Sequence, residues 1–341
     1  MAQSVKFSIP QNMQAMVLEH QAQPLRLKTC DVPQPAPTQV LVKVLYCGVC
    51  RTDLHIVDGD LMRPALPLIP GHEIIGRIVK NGREVQLWKE GDIVGIPWLA
   101  YTCGKCKYCL QAQENLCEQA LFTGYTVNGG FADYTTAYEQ YCFSVPKQYQ
   151  NPAGAPLLCA GLIGYRSYRL AGKNVKNLGF YGFGAAAHIL IQLAVPEGKN
   201  VYAYTKDDDQ EAQKLAMSLG AKWAGGSSQT PPEKLDAAIV FAPDGNLLPV
   251  ALSQTNKGGS VVCGGIHMSN IPSFPYQLLW GERIVRSVAN LTRKDAKEFL
   301  ELTSTIPVKT QTTIYPLRSA NKALQDMRNG IIHGAAVLVN E

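Results

Sequence analysis

Charge is scarce in this chain of 341 residues: only 17% are Asp, Glu, Lys or Arg, and the basic residues are scattered rather than gathered into a block. A net charge of +5 spread in that way offers no patch for nucleic acid or an anionic membrane surface. The N-terminus MAQSVKFSIPQNMQAMVLEH lacks the basic patch and unbroken apolar run of a secretory signal, so the expected location is cytoplasmic. Membrane-spanning runs are missing too. The uncharged, largely apolar stretch 177–195 is broken by Gly179, Gly182, Gly184, His188 and Gln192, and suits a buried strand, tight turn and helix better than a lipid-facing span. There is no internal repeat and no low-complexity tract. What is abundant is apolar: 46% hydrophobic residues, with 30 Gly and 21 Pro, exclude disorder and collagen-like repeats. The length predicts about two domains, each able to bury a core without disulfide staples.

Residues 13–150 read as short β-rich segments such as 40–46, 73–79 and 92–96, with Gly71, Gly82, Gly91 and Gly95 at the turns. From about Asn151 the texture changes. Apolar runs at 178–181, 201–204, 237–240 and 259–262 have strand character, and helix-like stretches at 188–194 and 210–219 follow the first two. That alternation predicts an α/β arrangement with a doubly wound parallel sheet. After about Leu291 helical 295–303 and 319–329 lead to a strand-like 335–339.

The first of those apolar runs ends in Gly182-Phe-Gly184-Ala-Ala-Ala187, a Gly-x-Gly-x-x-Ala pattern. The first glycine permits a sharp turn, the second lets backbone approach a pyrophosphate, and the small third residue lets helix pack on strand. The helix N-terminus then offers amides to phosphate. Small residues after a strand also serve plain packing. The next strand ends Tyr204-Thr205-Lys206, where an NAD enzyme usually places an acid for the ribose 2′-hydroxyl. Thr205 leaves space and Lys206 supplies charge for a 2′-phosphate, opposed by Asp207, Asp208 and Asp209; otherwise Lys206 is a solvated loop lysine. The reading prefers NADP(H), with NAD(H) also accepted.

Cys103, Cys106, Cys109 and Cys117 lie within fifteen residues. Thiolates at such spacing converge on Zn²⁺ and close its coordination sphere, which makes a structural site. An iron–sulfur cluster uses the same donors; disulfides do not suit a chain without a secretion signal. A zinc-ribbon nucleic-acid module would add two separated pairs and a basic, aromatic surface, which are absent. Elsewhere stand Cys47-Gly-Val-Cys50-Arg51-Thr52-Asp53-Leu-His55, then Gly71-His72-Glu73, then Leu158-Cys159. Taken singly, Cys159 is a core cysteine and His72 an ordinary structural histidine.

In this order the segments resemble the zinc-dependent alcohol dehydrogenases of the medium-chain dehydrogenase/reductase family over nearly the whole chain. The resemblance implies a GroES-like β-rich catalytic domain at 1–157, with a zinc lobe at about 98–120, and a Rossmann coenzyme domain at 158–291. Residues 292–341 would return to the catalytic domain. It further implies a catalytic zinc on Cys50, His72 and Cys159 with an open fourth position, as a catalytic zinc requires. Glu73 would be a carboxylate that coordinates transiently, Asp53 would orient the His72 ring, and Cys47 would be a spare thiol. With two zinc ions replacing six thiol protons the charge falls to about +3.

By the same resemblance, metal and coenzyme meet in the interdomain cleft, and zinc stabilises an alkoxide that passes hydride to nicotinamide. The proton leaves through Thr52, the coenzyme ribose and His55, the outer member having a suitable intrinsic pKa. Their plainer readings are a helix-capping threonine and an exposed loop histidine. Arg51 would bind phosphate oxygens, or sit on the surface. Gly264 and Gly265 would line the nicotinamide, or be turn residues. Trp98 would narrow the pocket towards small primary alcohols or slim aldehydes, or belong to the core. Relatives carry Gly-Arg near the C-terminus where this chain has Gly334-Ala335, which leaves Arg283, Arg286 and Arg293 as replacements or as surface residues.

The expected activity is reversible hydride transfer between a primary or small secondary alcohol and NADP(H), by a homodimer or homotetramer joined through the coenzyme domain. Rivals are a zinc-free quinone reductase, a polyol or formaldehyde dehydrogenase, and a non-catalytic protein that binds zinc and nucleotide.

Overall fold

A computed structural model describes residues 7–332 and 334–340. The chain divides into two units: one of Met1–Cys159, Asn290–Glu301 and Thr310–Glu341, the other of Ala160–Ala289 and Leu302–Lys309. The short return Leu302–Lys309 is fastened to the second unit by Gln192, whose side chain donates to the Lys309 carbonyl at 2.9 Å and accepts from its amide at 2.8 Å.

The first unit is built on strand Gln39–Val49, long enough to pair with three partners: Glu73–Asn81, Tyr134–Tyr138 and Ala335–Val339, all antiparallel. Ile93–Ile96 and Phe143–Ser144 extend this sheet on one side and Thr312–Pro316 on the other. Val40, Leu41, Val42, Ile74, Ile75, Ile78 and Val94 are fully buried, so the β-branched residues that mark these strands in the sequence also fill the core. Two crossings bring chemistry to one end of the sheet. Strand Gln39–Val49 runs into helix Arg51–Asp58, and His72 stands immediately before strand Glu73–Asn81, whose first residue, Glu73, is in register opposite Gly48.

The second unit carries six parallel strands in the order Trp223–Gly226, Asn200–Thr205, Asn177–Tyr181, Leu235–Val240, Thr255–Cys263 and Ile284–Ser287. In chain order that is 3-2-1-4-5-6, the Rossmann arrangement, with its switch point between Asn177–Tyr181 and Leu235–Val240. Strands of such a sheet are covered on both faces, which is why 201–204 and 237–240 are continuous apolar runs with no exposed residue. The uncharged stretch 177–195 is a strand, a turn and helix Ala185–Ala194. Among the described residues no helix is long and apolar enough to cross a membrane.

Candidate metal centres and nucleotide turn

Cys50, His72, Glu73 and Cys159 come from three distant segments, yet their ligand atoms all lie within 4.8 Å of one another. Cys50 is the N-cap of helix Arg51–Asp58, and Cys159 caps the helical turns Pro152–Leu158. Their sulfurs stand 3.6 Å apart. His72 and Glu73 are buried. Neither ring nitrogen of His72 completes a hydrogen bond of good geometry, although Nδ1 is 3.2 Å from Asp53 Oδ1. A buried imidazole nitrogen without a partner is costly, and a metal on Nε2 beside two sulfurs removes that cost. The donor set therefore fits a zinc ion held by three side chains.

Asp53 ties this corner together. Its Oδ2 accepts from the Cys50 amide at 2.8 Å and its Oδ1 from the Gly71 amide at 3.2 Å, so one fully buried carboxylate fixes the backbone beside two of the metal-ligand candidates. The cap of this helix is thus Cys50 with Asp53; Thr52 does not serve as one, and its hydroxyl instead lies 3.7 Å from Cys50 Sγ. Gly48 was not singled out in the sequence, but a Cβ there would collide with the Glu73 carboxylate. Electrostatics follow the crowding. The hydrogen bond from Cys159 and the nearby His72 hold the Cys50 thiol well below its ordinary value, while the same pairing and burial push Cys159 up. Burial opposes charge on His72, but Asp53 and Cys50 outweigh it and raise its pKa; burial raises Glu73. Cys47 is buried with its thiol raised by desolvation, and it lies outside the cluster.

The four lobe cysteines also bring their sulfurs within 4.8 Å of one another, with 3.6 Å between Cys106 and Cys109 and between Cys103 and Cys117. Edges of a tetrahedral Zn–S₄ site are about 3.8 Å. The Cys106 amide donates to Cys103 Sγ and the Cys103 amide to Cys117 Sγ, each at 3.4 Å. Amides of Lys105 and Cys106 hold the Cys103 thiol down to about 6, whereas burial lifts Cys109 to about 11. All ten cysteines are free.

Arg293 reaches this lobe. Its Nε and Nη2 donate to Glu114 Oε2 at 2.9 and 2.6 Å, its backbone amide to Oε1 at 2.7 Å, and its guanidinium lies over Tyr141 at 5.1 Å. Among the arginines considered as replacements near the coenzyme, Arg293 is therefore committed to Glu114. Arg283 donates to the carbonyl of Thr255, at the start of a strand and so at the end of the sheet opposite to Gly182. Arg286 is exposed on the edge strand Ile284–Ser287.

Trp98 meets His72 edge-on at 5.0 Å and stacks with Phe122 at 5.4 Å and Tyr125 at 5.6 Å. It also packs on the core, as the plainer reading has it. His55 lies on helix Arg51–Asp58 with its Nδ1 2.7 Å from Asp60, and Arg51 is exposed at the start of that helix.

In the second unit Gly182 has φ +92°, and a Cβ there would press on the Ala242 amide at 2.8 Å, across the switch point. Gly184 is the N-cap of helix Ala185–Ala194 and faces open space, while Ala187 is fully buried. This is the cradle that a dinucleotide pyrophosphate requires. Thr205 is turned inward: its hydroxyl donates to the Lys206 carbonyl at 2.7 Å and accepts from Gln213 at 3.0 Å. Lys206 is exposed. Asp207 is engaged with Ser228 and Asp209 caps helix Gln210–Ser218, so two of the three acids beside Lys206 have structural partners. Gly264 leaves room for Phe241 and Ser167, and Gly265 is hemmed by the His267 carbonyl at 3.1 Å.

The description "Alcohol dehydrogenase GroES-like domain" matches residues 36–147. The chain is 44% identical over 323 residues to the "Probable alcohol dehydrogenase AdhA" of Mycobacterium tuberculosis, covering 93% of each chain. It is 37% identical over 337 residues to an alcohol dehydrogenase of Geobacillus stearothermophilus, covering 96% of this chain and 99% of that one. A solved acetophenone reductase from Geotrichum candidum, in complex with NAD, superposes with a TM-score of 0.85 at 25% identity, covering 98% of both chains. The chain belongs to the alcohol dehydrogenases of the medium-chain dehydrogenase/reductase family. It is an oxidoreductase of the alcohol dehydrogenase class.

Proposed function

We propose that the protein is a zinc-dependent alcohol dehydrogenase and aldehyde reductase that transfers hydride reversibly between a primary or small secondary alcohol and NADP(H), accepting NAD(H) less well. One observation carries the reading: a buried imidazole nitrogen with no hydrogen-bond partner beside two sulfurs 3.6 Å apart and a carboxylate. Three side-chain donors, Cys50, His72 and Cys159, hold the ion and leave a position for substrate oxygen, with Glu73 behind them. Bound zinc supplies a Lewis acid and the nicotinamide a hydride acceptor.

The remaining chemistry belongs to the chain. Asp53 keeps the His72 ring oriented. Thr52, whose hydroxyl is near Cys50 Sγ, receives the proton of the alcohol, and His55, reached across the coenzyme ribose when coenzyme is bound, delivers it to water. Trp98, braced by Phe122 and Tyr125, forms a flat wall beside His72 that favours slim substrates. Gly182, Gly184 and Ala187 form the pyrophosphate turn, Arg51 adds a guanidinium for phosphate, and Gly264 and Gly265 border the nicotinamide. Lys206 is the cation for a 2′-phosphate, and Thr205, folded back on its own loop, leaves room for it. The second zinc, on Cys103, Cys106, Cys109 and Cys117, fixes the lobe. The exposed edge strand Ile284–Ser287, with Ile284 at 45% and Val285 at 37% exposure, supports a homodimer or homotetramer. A cytoplasmic location remains the expectation.

The test is a panel of alcohols and aldehydes run with both nicotinamides, alongside elemental analysis. We expect two zinc ions per chain and turnover favouring NADP(H). Lys206→Ala should lower the NADP over NAD preference about tenfold, the worth of one charged phosphate contact. Zinc and nucleotide binding without turnover of any substrate would refute the enzyme, and an unchanged coenzyme preference would refute the role of Lys206.

A further inference from the structure

We infer that Asp60 is the positioning residue of the proton outlet, holding the His55 ring in the tautomer that takes up and releases protons through Nε2. The inference rests on reading His55 as the outer member of the relay. Its geometric basis is separate. Helix Arg51–Asp58 ends at Gly59 in the left-handed conformation, φ +93°, so the chain turns back over its last turn. The Leu61 amide then donates to the His55 carbonyl at 3.1 Å, and Asp60 Oδ2 comes to 2.7 Å from His55 Nδ1. Gln21 pins the same turn from outside, donating to the carbonyls of Ile56 and Leu61 at 2.8 Å each.

A carboxylate only accepts, so Nδ1 carries the hydrogen and the lone pair of the neutral ring is on Nε2. The neighbouring acid cannot substitute, because Asp58 is committed to Arg328 at 2.6 Å. Arg51, one helical turn before His55, supplies positive charge on that helix and no acceptor. The pair also spans the boundary with water: the His55 side chain is 18% exposed and that of Asp60 52%.

The proton balance is simple. The O–H bond of the alcohol breaks as its proton passes by way of the Thr52 hydroxyl, and across the coenzyme ribose when coenzyme is bound, to Nε2 of neutral His55. The ring becomes imidazolium with both nitrogens protonated, its charge matched by Asp60. Water then takes the Nε2 proton. Because the hydrogen stays on Nδ1, donated to Asp60 throughout, the starting tautomer is restored after each turnover.

The experiment compares Asp60→Ala and Asp60→Glu with the unaltered, zinc-loaded full chain. Long-range ¹⁵N–¹H NMR of the His55 ring should report the Nδ1–H form in the unaltered protein and in Asp60→Glu, and a shift towards Nε2–H in Asp60→Ala. The kcat for alcohol oxidation should fall about tenfold in Asp60→Ala and return to within about threefold in Asp60→Glu, with zinc content and coenzyme binding unchanged. An unchanged tautomer in Asp60→Ala overturns the inference, and so does a shifted tautomer with full kcat. Failure of the enzyme reading looks different: the unaltered protein, carrying its zinc, turns over no alcohol, while the NMR comparison still reports on Asp60.

Discussion

The two sulfur-rich sites of this protein use similar donors in opposite ways. In the lobe, four cysteines lie within one short segment, offer four like sulfurs, and receive backbone amides from within that segment. At the other site the donors come from a strand–helix junction, a strand start and a turn more than eighty residues further on, and a carboxylate waits behind them. The local set is four like sulfurs; the set gathered by the fold is two sulfurs, an imidazole and a carboxylate. The first arrangement suits holding a loop and the second suits holding a substrate.

The sharpest way to break this contrast is to remove one sulfur from each site. Cys50→Ala should lower kcat by at least about 10³-fold while coenzyme binding persists, since the zinc proposed there would provide most of the activation of the alcohol. Cys103→Ser should cost one zinc ion as well, but act chiefly by lowering Tm, by at least about 6 °C. Equal catalytic losses with equal thermal losses would erase the distinction. Elemental analysis and calorimetry on the two variants decide it.

A second, smaller effect concerns the lobe alone. In protein stripped of metal by a chelator, Cys103, held down to about 6 by two amides, is largely thiolate at neutral pH, whereas Cys109, lifted to about 11 by burial, is a thiol. Alkylation at pH 7.5 should therefore label Cys103 at least about tenfold faster than Cys109, read by peptide mass spectrometry. Lowering the pH through 6 protonates Cys103 and should slow its labelling roughly tenfold for each further pH unit. Equal labelling at pH 7.5 would show that the amides do not set thiolate character.

The smallest effect tests how the lobe is anchored. Arg293→Met leaves the buried Glu114 without its guanidinium; as Arg293 is one-third exposed, the loss is about 1–2 kcal/mol, a Tm decrease of roughly 3–6 °C. Zinc release from the lobe to a chelator should quicken, with KM for coenzyme unchanged. A raised coenzyme KM would restore the alternative in which Arg293 serves the nucleotide.

The sequence made the lobe legible because its chemistry is written in consecutive residues, and the parallel sheet legible because strands buried on both faces are uniformly apolar. Strand 335–339 and the glycine turn at Gly182 have the same local character. Contacts between distant residues were another matter. Arg293 looked like a coenzyme candidate, yet its partner Glu114 is 179 positions away, a separation no local pattern encodes. Thr205 has the composition expected at a 2′-phosphate site, but whether a threonine hydroxyl turns outward or bonds its own loop depends on Gln213 in the next helix. The pairing of Asp60 with His55 hangs on the conformation of Gly59, and the need for glycine at position 48 on a carboxylate across the sheet.

The spacing of the donors also sets an order of events during synthesis. All four lobe sulfurs have left the ribosome once residue 117 is clear, so a tetrathiolate site can capture its ion while translation continues. The other centre lacks Cys159 until much later. If both sites take zinc as proposed, the loop's donors are therefore complete well before those of the other site.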